Sequence, residues 1–213
     1  MRRAAIQAPA LPPVYIGIPA ISWMYTKTVE SLIWTIGELK GFAFQVEPGP
    51  SSIAHKRNLI VQSFLQHPNA PEYLVFLDSD MVFPKGMIPR LLGHHKDIVG
   101  VLYPQRLPPF KVIGGVGNIS EWTSQNPGNG LQPVDVLGAG VLIVRRKVLA
   151  AIPRPWFSSE LTPGSDSEDV YFCAKARDHG FDLWCDTDLE VGHMTFASIT
   201  AEAAPRWREA MGT

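Results

Sequence analysis

The chain has little of what usually assigns a function quickly. It contains only two cysteines, Cys173 and Cys185. They stand too far apart for a Cys-x-x-Cys pair, which excludes that metal and redox chemistry. Reduced thiols, one in a helix and one in a strand, are expected. No apolar run approaches the ~18 residues of a membrane span. Behind the basic Met1-Arg2-Arg3, the prolines Pro9, Pro12 and Pro13 interrupt any signal-peptide core. A soluble, cytoplasmic protein is the expectation. Neither sign of charge prevails: the net charge is -1 over 213 residues, so general attraction to nucleic acid or anionic lipid is excluded and only a local basic patch is left. Internal repeats are missing. Gly138-Ala139-Gly140 follows a strand but lacks the third glycine of a dinucleotide fingerprint. Gly114-Gly115-Val116-Gly117 lacks the Lys-Ser/Thr that a phosphate loop needs.

A globular core is present, with 46% hydrophobic and 18% charged residues, at a length suited to one domain. The organising stretch is Tyr73-Leu74-Val75-Phe76-Leu77-Asp78-Ser79-Asp80. An unbroken apolar run reads as a strand buried on both faces of a parallel sheet. Ligands bind beyond the carboxyl ends of such strands, where Asp78 and Asp80 stand. If the strand continued, both carboxylates would point the same way. Like charges held together suit a divalent cation shared with phosphate oxygens. As a purely structural alternative, Asp-Ser-Asp is a polar turn.

Taken in order, residues 1–13 read as a loose lead-in, and Val14 to Pro19 as a first buried strand. Met24 to Leu39 has helical spacing, and Phe42 to Val46 is a second strand. Ser51 or Ser52 caps a helix to about Gln66. There Arg57 lies four residues from Ile53 and from Val61, facing the buried side, either snorkelling or reaching an anion in the site. A short helix covers Gly86 to His94, and Asp97 to Tyr103 is a strand. The segment 104–133, rich in Pro, Gly, Asn and Gln, is read as a wall or lid over a site. Val134 to Leu137, a bend at Gly138-Ala139-Gly140 and Val141 to Val144 form strand, turn and strand, followed by a short helix over Arg145 to Ile152. Ser165 and Glu168 have capping-box spacing for a helix to His179, ended by Gly180. The helix dipole accounts for one of Glu168 and Asp169 and leaves Asp169 spare. Phe181 to Asp186 is a strand, and Val191 to Met194 reaches the sheet edge. The tail around Trp207 reads as a final helix. His94 and His95 are assigned to a solvated helix end. His193 differs, because it follows a glycine at a strand end. Two carboxylates with one imidazole suit Mn²⁺ or Mg²⁺ better than a closed zinc site. The alternation of strands and helices predicts a mostly parallel α/β sheet flanked by helices.

In this order the motifs resemble the GT-A-type nucleotide-sugar glycosyltransferases, in the family-2-like superfamily with its compact bacterial and phage members. The likeness runs over Val14 to His193. It rests on the strand into Asp78-Ser79-Asp80 (Asp-x-Asp), on Ser165 to Asp169, on Gly192-His193, on Ser52 to Asn58 with its Arg-Asn pair, and on the 138–140 bend. It implies a Rossmann-like GT-A domain over 14–213, with a nucleotide-sugar half at about 14–103 and an acceptor half at about 104–200. Asp80 and His193 would ligate the cation, and Asp78 would meet the metal through water or the ribose. Pro19, Ala20, Arg57, Asn58 and Ser79 would contribute to the donor site. Glu168 and Asp169 would be catalytic, with Asp169 as base for an inverting transfer or as an orienting acid for a retaining one. The chain departs from the family at Ala20-Ile21-Ser22-Trp23, where members often carry Asn-Glu.

The implied activity is metal-dependent transfer of a hexosyl group from a nucleoside-diphosphate sugar, UDP-sugars favoured, to a hydroxyl. Hydroxymethylated DNA pyrimidine, a glycan and a small molecule are the candidate acceptors, and Arg145-Arg146-Lys147 is the local basic cluster that favours DNA. The other readings are a sugar-phosphate nucleotidyltransferase and a non-catalytic, metal-dependent binding module.

Overall fold

The computed structural model describes residues 13–106, 110, 112–116, 129–160 and 167–195. Its centre is a seven-stranded sheet. Strand β1 (Val14–Pro19) lies between β2 (Phe42–Glu47) and β3 (Tyr73–Leu77), and all three are parallel. The short β4 (Met81–Val82) follows β3 in the chain, outside the main sheet. Strand β5 (Ile98–Val101) belongs to the sheet, whereas β6 (Tyr103–Pro104) and β7 (Val112–Ile113) pair only with each other. Then come β8 (Leu131–Val134), β9 (Val141–Arg145), β10 (Leu183–Asp186) and β11 (Gly192–His193). Strand β9 inserts antiparallel between β3 and β5; β10 runs parallel to β5, and β8 closes the far edge antiparallel. The sheet is therefore mostly parallel, with β8 and β9 opposed.

Strands without polar alternation need a cover on both faces, and both faces are covered. Leu74, Phe76, Leu142 and Val144 enter one core with α2 (Ile53–Gln66), α4 (Arg146–Ala151) and α5 (Glu168–Asp178). Tyr73, Val75, Leu77, Val141 and Ile143 enter the other with α1 (Thr26–Gly37) and α3 (Met87–Gly93). Each enclosed side chain of this size contributes about 1.5–3 kcal/mol over leaving it exposed. The approach of α2 to β1 depends on Gly17, where a Cβ would lie 2.3 Å from Ile60 Cγ2.

Several expectations are revised. Strand β3 stops at Leu77 and the chain turns, with Met81 N donating to Asp78 O at 3.3 Å. Asp78 and Asp80 therefore do not occupy alternate positions of one strand. The segment around His193 pairs with β4 instead of joining the main sheet. The strand expected at Val134 to Leu137 comes earlier, as β8, and Val136 makes only an isolated bridge to Gly115. Helix α5 is capped by Ser167, whose hydroxyl accepts from Val170 N, in place of the expected Ser165. His94 is not a free surface group: its Nε2 lies 2.7 Å from Asp186 Oδ2, beside a bidentate Arg90. Cys173 and Cys185 are both free and buried, and burial pushes both thiols up to about 12. The lead-in up to residue 12, residues 117–128 of the expected lid, Ser165 and the Trp207 tail lie outside the described residues. Among the described residues, no helix is long and apolar enough to cross a membrane.

Candidate active site

A cleft of about 490 Å³ opens at the carboxyl ends of β1 and β3. Pro19 and Ala20 come to it from the end of β1, Asp78 to Asp80 from the turn after β3, and Glu168 and Asp169 from the first turn of α5. Lys56 and Arg57 reach it from α2, whose start is set by Ser52 accepting from His55 N at 3.2 Å. His193, Tyr103 and Arg106 complete the wall beside the carboxylates. This is where an open α/β sheet presents its ligand site.

Arg57 is the hub of the cleft floor. It is 1% exposed, and its donors are directed at three elements. Nη2 donates to Asp78 Oδ2 at 3.1 Å, Nη1 to the carbonyl of Ala139 at 3.2 Å, and Nε to Glu168 Oε1 at 3.5 Å. Asp169 Oδ1 lies 3.9 Å from Nη2. One guanidinium thus faces three carboxylates. Burial acts to lower the Arg57 pKa, but the three acids outweigh it and hold it above the ordinary value. The acids share one cation, and the deficit appears in their own titration. Burial first, then the charges of Glu168 and Asp78, push Asp169 up to about 8 against the pull of Arg57 and the backbone of Ala139. Burial also raises Asp78, despite Arg57. Asp78 Oδ1 and Asp169 Oδ1 are buried and accept no hydrogen bond, although Arg57 Nη2 lies 3.1 Å from the first and 3.9 Å from the second. Buried acceptors without donors are rare in folded proteins and point to a missing partner.

The second cluster lies across the turn. The β4–β11 ribbon pairs His193 with Met81, and Met194 N donates to Asp80 O at 2.8 Å. The ribbon places His193 Nε2 3.5 Å from Asp80 Oδ2. His193 Nδ1 faces the carbonyl of Pro104 at 2.8 Å. A carbonyl only accepts, so Nδ1 carries a proton; Nε2 meets Asp80 as a donor when the ring is charged and as an acceptor when it is neutral. In the neutral ring two acceptors face each other, an arrangement that a cation between them reconciles as the ring proton does in the charged form. Arg106 Nη1 also reaches Asp80 Oδ2, at 2.9 Å. Burial would raise the Asp80 pKa, but His193 and Arg106 more than offset it and hold the group below its usual range.

Not all the expected site residues meet. Pro19, Ala20, Arg57, Asp78, Ser79, Asp80, Glu168, Asp169 and His193 line one cleft. Asn58 does not: its amide donates to the carbonyls of Ala54 and Phe157, and its Oδ1 accepts from Trp156 N and Phe157 N. Asp78 does not join Asp80 and His193, because the turn after Leu77 sends it to Arg57. Among the described residues, no group of three His, Cys, Asp or Glu side chains is arranged to hold an ion. The basic cluster is engaged within the fold. Arg145 pairs with Glu72 and Asp97, Lys147 pairs with Asp97, and Arg146 donates to three backbone carbonyls. Arg145 stands opposite Tyr73, at the end of β3 away from Asp78 and the cleft.

Lys56, Arg106 and Tyr103 are among the cleft residues that escaped the sequence reading. Lys56 is 3% exposed, and its amine donates to the carbonyl of Ala20 at 2.7 Å. Its place next to Arg57 was the only hint. Arg106 lies in an aperiodic segment that offered none. Tyr103 explains the glycine bend. Its hydroxyl accepts from Gly140 N at 2.9 Å, and a Cβ at Gly138 would fall 2.1 Å from that oxygen. The bend also holds β3, through Asp78 N donating to Gly140 O at 2.9 Å.

No protein-family model matches the chain, and no curated protein matches it significantly in sequence. Solved structures share its architecture. The crystal structure of A197 from STIV aligns with a TM-score of 0.65 at 19% identity, over 86% of each chain. The crystal structure of GalNAc-T7 with UDP, GalNAc and Mn²⁺ aligns with a TM-score of 0.54 at 12% identity. That alignment covers 95% of this chain and 48% of GalNAc-T7, so the chain spans about half the length of that protein. At these identities the likeness is one of fold, and the fold is GT-A-like.

Proposed function

We propose that the chain is a cation-dependent glycosyltransferase that moves a sugar from a nucleoside-diphosphate sugar, with UDP-sugars favoured, to a hydroxyl acceptor. The observation that carries this reading is the facing pair of Asp80 Oδ2 and His193 Nε2, 3.5 Å apart in the cleft of a GT-A-like sheet. The fold is shared with a protein solved with UDP, GalNAc and Mn²⁺. The donor set fits a hard cation that keeps only one or two protein ligands and takes the rest from substrate phosphates. Asp80 and His193 would hold Mn²⁺ or Mg²⁺, and the carbonyl of Pro104 keeps His193 in the tautomer that a ligand requires. When bound, the ion supplies Lewis-acid neutralisation of the departing diphosphate.

The chain's own residues account for the remaining steps. Pro19, Ala20 and Lys56 form the end of the cleft that receives the nucleoside. Oδ1 of Asp78, which accepts no hydrogen bond within the protein, accepts a ribose hydroxyl, while Arg57 fixes the carboxylates in place. The bond from the anomeric carbon to the diphosphate oxygen breaks, and a bond from that carbon to the acceptor oxygen forms. The proton of the acceptor hydroxyl passes to the unpaired Oδ1 of Asp169. Where configuration is retained, the same carboxylate orients the acceptor. Residues 14–103 carry the donor half, and about 104–200 the acceptor half. Hydroxymethylated DNA, a glycan or a small molecule supplies the hydroxyl.

The test is release of free nucleoside diphosphate from UDP-glucose and other sugar nucleotides, with and without Mn²⁺. Slow, cation-dependent release is expected, and Asp80→Ala should reduce it at least about a hundredfold, as loss of a main electrostatic group does, with an unchanged circular dichroism spectrum. Pyrophosphate exchange with a sugar phosphate would replace this reading with a nucleotidyltransferase. Binding without turnover would replace it with a binding module.

A further inference from the structure

The position of Arg106 raises a chemical conflict. Its guanidinium does not merely lie near Asp80. Nη1 is 2.9 Å from Oδ2, the same oxygen that faces His193 Nε2 at 3.5 Å. A cation held jointly by Asp80 and His193 binds on that oxygen. The two lone pairs of that oxygen could serve both, but two positive centres crowded onto it repel, which favours release of the more weakly held one. The side chain of Arg106 is 59% exposed, against 19% for Asp80 and 10% for His193. An exposed ion pair is worth at most about 1 kcal/mol, so Arg106 is the partner that moves. It is also one of the residues lining the cleft that would hold the donor, so its released fork stays beside the diphosphate. A guanidinium pairs best with a phosphate or carboxylate that offers two oxygens at once.

We propose that Arg106 is a resident counter-ion of Asp80 that the incoming cation displaces, and that the displaced guanidinium then binds the diphosphate of the donor. This rests on the glycosyltransferase reading above. It adds an ordered exchange: the cation takes Asp80, and Arg106 passes to the leaving group. Arg106 is a positioning residue for the diphosphate and no ligand of the ion. The arrangement also disfavours cation binding without nucleotide, because the ion must first break the pair.

The exchange makes one substitution act in opposite directions on two ligands. In the full chain, Arg106→Ala should bind Mn²⁺ alone more tightly than the wild type, by up to about fivefold, the equivalent of one exposed ion pair. With Mn²⁺ saturating, the same variant should bind UDP about tenfold more weakly, the cost of one charge-assisted contact, and bind UMP unchanged. Arg106→Lys should recover part of the UDP affinity. Electron paramagnetic resonance of free Mn²⁺ and isothermal titration calorimetry with UDP and UMP read these effects without turnover. Unchanged or weaker Mn²⁺ binding by Arg106→Ala would overturn the exchange, as would equal losses for UDP and UMP. Wild-type protein that binds no Mn²⁺, or binds it unchanged in Asp80→Asn, would overturn the underlying reading instead.

Discussion

At the scale of single residues, Asp169 as the proposed base should set the pH behaviour. A general base must be unprotonated, and this carboxyl is pushed up to about 8. Turnover should therefore rise with pH through a limb centred near 8. Asp169→Asn should remove that limb and lower kcat by about 10²–10⁴, the usual contribution of a positioned base. A pH–rate profile checks both, and a wild-type profile flat from pH 6 to 9 would reject the base. Stability runs the other way. The folded-state pKa lies above the ordinary 3.8, so this group's contribution is fully present below about pH 3.8 and is lost as pH rises to about 8. The melting temperature of Asp169→Asn should gain on the wild type across that window. The two neighbouring acids were legible as a pair at a helix start. What separates them is their hydrogen bonding: Glu168 has a hydrogen bond from Arg57, whereas Asp169 Oδ1 is left without a donor. That difference is set by α2 and the 138–140 bend, over a hundred and about thirty residues away in the sequence respectively.

At the scale of elements, the cleft floor is a joint. Arg57 ties α2 to the turn after β3, to the glycine bend before β9 and to the start of α5. Replacing it with an apolar side chain leaves three carboxylates buried without their shared cation. Removing one partner of a buried charge cluster costs about 3–5 kcal/mol, so Arg57→Met should lose about that much in urea-induced unfolding. A loss below about 1 kcal/mol would show that the acids neutralise one another by taking up protons. The stripe through Ile53, Arg57 and Val61 pointed Arg57 inward on helical spacing alone. Its partners were not legible, because helical periodicity gives a side chain's direction and not what it meets. The β4–β11 ribbon was likewise hidden. Two residues on each side are too short for a periodic signal.

At the scale of the whole molecule, the two cores are closed without help from the cleft. The proposed cation should therefore stabilise only by mass action. At a hundred times its Kd, Mn²⁺ should add about 2.7 kcal/mol, or several degrees in Tm by differential scanning fluorimetry. Chelation should return the protein to its starting Tm without unfolding it. The shift should vanish in Asp80→Ala. Unfolding on chelation would show instead that the ion is part of the structure. The mostly parallel α/β sheet was legible because unbroken apolar strands between amphipathic helices admit few packings, whereas the GT-A likeness lay in the order of the motifs.

The layers, the strand that leads into Asp78-Ser79-Asp80 and the candidacy of His193 all follow from local hydrophobic pattern and from the chemistry of the side chains. Only the tertiary structure decided which carboxylate met which cation. The turn after Leu77 gave Asp78 to Arg57 and left Asp80 to His193 and Arg106. A one-residue change in where a strand stops redirects a side chain, and the charges around a buried site depend on neighbours that no local pattern encodes.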